Sequence, residues 1–154
     1  MRKRTISILS VGLILLLVTP TAFASSPAIQ GGVFGIELCP QFICGAAIFS
    51  GTFVGRLGTN FNTVGNITAA MTHEELPTGG ACSLIKGGVW EIKTFLRKVQ
   101  GGVQYGGLIC DNQDGTFAIH ATLVPTSSGY SGSVAFEGTL NHNTLIPTFS
   151  GVLQ

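Results

Sequence analysis

Phe49-Ser50-Gly51-Thr52-Phe53, Phe136-Glu137-Gly138-Thr139-Leu140 and Phe149-Ser150-Gly151-Val152-Leu153 share one pattern: aromatic, any residue, Gly, any residue, apolar residue. On an extended strand alternate residues share a face, so each copy sets a Gly between two bulky apolar neighbours on the same side. An interior Gly weakens a strand unless the chain bends there or another group comes close. Large and small residues alternating along an inward face are what the tapered interior of a small barrel requires. The motif therefore predicts a curved, half-buried sheet and says nothing about chemistry.

The segments on either side carry the same period of two. Phe49, Gly51, Phe53, Gly55 and Leu57 align on one face of residues 42–57, with Ser50, Thr52 and Arg56 opposite. Residues 61–71 place Phe61, Ile67, Ala69 and Met71 together, with Asn62 and Asn66 on the other side. Residues 116–124 and 130–140 alternate likewise, and residues 33–38 and 145–154 read as the first and last strands. Residues 89–99 show Val89, Ile92, Leu96 and Val99 at helical spacing, but the Gly pairs on both sides and the β-prone composition favour a strand. A looser copy of the motif, Tyr105-Gly106-Gly107-Leu108-Ile109, predicts a strand over residues 103–110. Thr72-His73-Glu74-Glu75-Leu76-Pro77 has a Thr three residues before a Glu and a closing Pro, which predicts one capped helical turn. Residues 111–115 and 141–144 are turns by composition. About eight or nine strands at roughly ten-residue spacing predict an all-β fold, an antiparallel barrel or a sandwich, meander-like in its C-terminal half.

Met1-Arg2-Lys3-Arg4, the apolar run from Ile6 to Val18 and the small residues ending at Ala24 have the three parts of a secretory signal peptide. The sequence thus predicts a cleaved segment 1–24 and a single all-β domain over 25–154, secreted to the extracellular space or the periplasm. The run is too short for a stable membrane span and ends in Pro20. Cleavage removes three of eight basic residues and leaves five against seven acidic ones, a net charge of −2. Without a basic patch, nucleic acid is not an expected partner. Asn66-Ile67-Thr68 matches an N-glycosylation acceptor.

Cys39, Cys44, Cys82 and Cys110 form an even set in an exported chain, which predicts two disulfides rather than a metal site. Of three connectivities, the expected one joins Cys39 to Cys44 and Cys82 to Cys110. The spacing does not repeat the paired pattern of structural zinc, so no metal or cofactor is expected.

The chemistry-bearing residues are few. His120 lies on the face opposite Phe117, and consecutive hairpins would set it near Glu137, a His-carboxylate pair able to move a proton. The bland alternative is a polar ladder on the solvent face. His142 lies in a predicted turn, and the predicted capped turn accounts for His73. Neither a nucleophile elbow nor a phosphate loop is present. The leading expectation is a non-catalytic barrel that binds a small apolar molecule or a surface partner, with Trp90, Tyr105 and Tyr130 as candidate ligand contacts. The alternatives are an extracellular protein that self-associates through edge strands, and a small isomerase or hydrolase using His120 and Glu137.

Overall fold

The computed structural model describes residues 29–76 and 79–154, and its strands form one closed antiparallel barrel. The expected signal segment and Pro77 lie outside the described residues. The strands are β1 (Ile29–Cys39), β2 (Ala47–Leu57), β3 (Asn60–Glu75), β4 (Cys82–Lys93), β5 (Lys98–Val103), β6 (Leu108–Asp111), β7 (Thr116–Pro125), β8 (Val134–Asn141) and β9 (Thr148–Leu153), with one helical turn, α1 (Gln41–Cys44). Chain neighbours pair in turn except β5 and β6, and β1 meets β9 to close the ring. The strands β5 and β6 share one of eight positions, both lying between β4 and β7. Among the described residues each of these nine strands therefore has neighbours on both sides, so the sheet they form has no unpaired edge. Among the described residues no helix is long and apolar enough to cross a membrane.

The glycine motif explains the closure. Gly35 faces Gly51 across β1 and β2, Gly31 faces Gly55, and Gly138 faces Gly151 across β8 and β9. A Cβ built on Gly51 would stand 2.2 Å from the Phe34 carbonyl oxygen. One built on Gly138 would stand 2.4 Å from the Phe136 ring, and one on Gly151 2.5 Å from the same ring. The motif's aromatics thus lie over glycine pairs where two backbones come together, which lets the sheet coil tightly enough to close.

Inside, Val33, Phe49, Phe53, Ile85, Trp90, Ile92, Val99, Ile119 and Phe149 are buried in a single apolar core. The Phe49 and Phe149 rings meet edge to face at 5.5 Å. The core leaves an apolar void of only about 40 Å³, against the roughly 300 Å³ at which pockets for small molecules begin.

Four sequence expectations require correction. Thr72 to Glu75 extend β3 instead of forming a capped turn, because they pair with β4 as far as Glu75 against Ser83. A lone helical turn has few internal hydrogen bonds to set against that ladder. The 89–99 segment is extended but broken, since Thr94 turns the chain by accepting the Leu96 and Arg97 amides on its hydroxyl. Tyr105 and Gly106 form a turn between β5 and β6, with Gly106 at φ 106°, so the expected strand over residues 103–110 is interrupted and only Leu108 and Ile109 of the loose fourth motif are extended, in β6. Finally, β2 begins at Ala47, because the bridge from Cys39 to Cys44 holds α1 as a separate turn capped by Gly45 at φ 75°. The second bridge joins Cys82 to Cys110, a directly opposed pair on β4 and β6. Both match the expected connectivity.

Candidate functional site

The two ends of the barrel differ. At one end the inward rows finish on Ile29, Leu57, Ile92, Val99, Leu123, Val134 and Leu153, all buried. At the other, the rows of β1, β3, β6 and β8 finish on ionisable groups, while those of β2 and β7 finish on Ala47 and Phe117. In β1 the buried positions Ile29 and Val33 are continued by Glu37, which is only 6% exposed. In β6 the buried Ile109 is followed two residues later by Asp111, and past the end of β8 the row of Phe136 and Leu140 is continued by His142. His73 and Glu75 complete the ring from β3. Charged groups do not pack as closely as Leu or Val, so the barrel ends here in an open cup of about 640 Å³, floored by Ala47, Phe49, Ile109 and Leu140.

His142 is fixed from three directions. Its Nε2 lies 2.9 Å from Glu37 Oε2, its backbone N–H donates to the Gly115 carbonyl at 2.9 Å, and its ring tilts against Phe117 at 5.0 Å. Asn143 donates its side-chain amide to the Asp114 carbonyl at 2.8 Å, tying the loop after β8 to the loop after β6. The backbone of Glu37 belongs to the same lock, donating its N–H to the Pro147 carbonyl at 2.9 Å. Among the described residues, His142 is the hydrogen-bond partner of the Glu37 carboxylate, which lines the cup.

On the opposite wall Gln41 fastens α1 to β3. Its side-chain nitrogen donates to the His73 carbonyl at 2.7 Å and its oxygen accepts the His73 N–H at 2.6 Å. Burial pushes the His73 imidazole below its usual value, and the nearby Glu37 charge opposes that shift only in part. Among the described residues the cup therefore holds three carboxylates, Glu37, Glu75 and Asp111, with His73 biased towards its neutral form and no Lys or Arg on its walls. Phe42, Phe49 and Phe117 are its aromatic surfaces. No group of three or more His, Cys, Asp or Glu among the described residues is placed to hold a metal ion.

The residues singled out from sequence are not gathered into this cup. His120 and Glu137 do face each other across β7 and β8 and form an ion pair, but on the outer surface, with side chains 54% and 44% exposed. Trp90 is buried in the core and donates its indole N–H to the Gly102 carbonyl at 3.1 Å. Tyr105 is exposed, with the Lys86 ammonium 5.3 Å from its ring centre. Tyr130 packs against the core from the loop before β8, and its buried hydroxyl has no hydrogen-bond partner among the described residues. Sequence reasoning passed over Glu37, although the signal was present: Glu37 falls on the same alternation as Ile29, Gly31, Val33 and Gly35. A carboxylate on the inward phase of a strand is the anomaly that marks a site. Compared with family models, curated proteins and solved structures, the chain matches none of them.

Proposed function

We propose that this is a secreted binding protein that receives a small molecule in the polar cup at one end of the barrel. The observation that carries the reading is the asymmetry of the ends: apolar and filled at one, ionisable and open around a buried carboxylate at the other. The apolar interior is too full for the hydrophobic ligand that the sequence favoured, and a volume of about 640 Å³ lies within the usual range for small-molecule sites. Export is supported by the N-terminal pattern and by two disulfides. The test is a protein NMR screen with a library of small molecules of differing charge. The reading expects hits that shift the amides of Glu37, His73, Asp111 and His142. A library whose hits fall only on the outer faces of the strands contradicts it.

A second reading is favoured by the rim. Leu38, Phe42, Ile43, Leu145 and Ile146 stand exposed around the mouth, with Phe42 at 86% and Leu145 at 101%. Apolar side chains grouped at one end suit contact with a protein surface or a second copy of the chain. Sedimentation that depends on concentration and becomes monomeric in Phe42→Ser supports that use of the rim. Concentration-independent monomers rule out the second copy.

A further inference from the structure

We propose that the cup selects an organic cation, an amine or quaternary ammonium compound, with Glu37 as its buried counter-ion. This inference rests on the reading of the cup as a binding site and names the class of ligand.

Three independent features converge on it. The first is the state of Glu37. A carboxylate withdrawn from water is costly unless countercharge and hydrogen bonds replace its hydration. Among the described residues one imidazole nitrogen, that of His142, hydrogen-bonds one of its oxygens, while the carboxylate lines an open cavity. A ligand ammonium would bring a full positive charge to this carboxylate. The second is the wall. Phe42, Phe49 and Phe117 offer ring faces and edges, and cations are attracted to aromatic faces most strongly where water is excluded.

The third is the distribution of charge over the whole barrel. Arg56 and Lys93 lie near the filled end, with Arg97 and Lys98 in and after the turn that joins β4 to β5 there; Glu91 pairs with Lys98 at that end, and Lys86 is taken up by Glu74 on the exposed faces of β4 and β3. Glu37, Glu75, Asp111 and Asp114 lie at the open end. Such an axial separation draws cations towards the mouth and repels anions from it. Burial also disfavours a proton on His73, so this ring does little to offset the carboxylates at neutral pH. A metal ion is the weaker candidate, because the acidic groups are spread around the mouth and do not converge as ligands.

The test compares three isosteric probes on the oxidised protein at pH 7 and low salt: benzylamine, benzyl alcohol and benzoate, by calorimetry and amide-shift mapping. Benzylamine should bind at least tenfold more tightly than benzyl alcohol, and benzoate should not bind, with shifts centred on Asp111, Phe117 and His142. Added salt should weaken benzylamine binding, and Glu37→Gln should weaken it tenfold or more. If Glu37→Gln does not fold, Asp111→Asn on the exposed rim should still weaken it severalfold. Equal binding of all three probes in the cup overturns the cation proposal while leaving the binding reading in place. If none of the three shifts any cup residue and a neutral library does so, the cation proposal again fails alone. If no compound of any charge shifts the cup, both readings fail.

Discussion

Gly51 and Gly32 lie on neighbouring strands and make opposite demands on a side chain. At Gly51 an added Cβ meets the Phe34 carbonyl oxygen and the Gly35 Cα, both backbone atoms that cannot swing aside, whereas at Gly32 nothing lies within 4 Å. Gly51→Val should therefore destabilise by about 3 kcal/mol, the upper end of the usual overpacking range. Gly138→Val should cost about as much through the Phe136 ring and the Ser150 carbonyl. Gly32→Ala should stay within about 0.5 kcal/mol of the parent, as surface changes do. Urea unfolding midpoints for the three variants check this, and equal midpoints would show that the glycine pairs are not contact points. His73 gives a second prediction at this scale. Its unfolded-state value is 6.5 and its folded value is lower, so the unfolded chain binds the extra proton between the two. The stability associated with neutral His73 is present above pH 6.5 and is lost as pH falls through the lowered folded value. His73→Gln should lose less stability than the parent between pH 7 and 5, measured as the difference between their thermal midpoints at each pH.

At the scale of elements, the two disulfides do different work. The bridge from Cys82 to Cys110 spans a separation of 28 residues and clamps β4 to β6, whereas the bridge from Cys39 to Cys44 spans five and holds α1 beside the mouth. In the chain-entropy account, removing the longer bridge by Cys82→Ala with Cys110→Ala costs about 3 to 4 kcal/mol and removing the shorter one about 2 kcal/mol. The second loss should also raise amide exchange over residues 41–45 more than elsewhere. The loop between β8 and β9 depends on the Glu37 and His142 pair. His142→Ala should cost about 2 kcal/mol, less than a fully buried pair because the His142 side chain is 35% exposed, and should speed exchange over residues 142–147. Strand identity was legible in the sequence wherever alternation was strong, as in β2, β7 and β8. Positions at which the chain leaves the sheet were not. Thr94 and Gly106 interrupt runs whose composition stays β-prone, and only the hydrogen bonds of the folded turn reveal the breaks. The pairing of His120 with Glu137 was legible in the sequence. It follows from simple hairpin register on the outer face, whereas the contact between Glu37 and His142 joins residues 105 apart across the mouth and depends on closure.

For the whole molecule, closure decides what kind of function is open to it. A ring in which β1 meets β9 offers no edge for strand addition, and a core with about 40 Å³ of empty apolar space offers no room for a lipid-like ligand. The proposed site lies at the end of the barrel where inward rows change from apolar to ionisable. Glycine pairs bring the strands round, aromatics fill the space they leave, and the last inward layer carries Glu37, His73, Asp111 and His142. Ligand is expected on this layer and nowhere deeper. Intermolecular nuclear Overhauser contacts from bound benzylamine decide it: contacts to Phe117, His142 and Phe42 are the expected result, and contacts to Trp90 and Val103 or to the outer strand faces would overturn it.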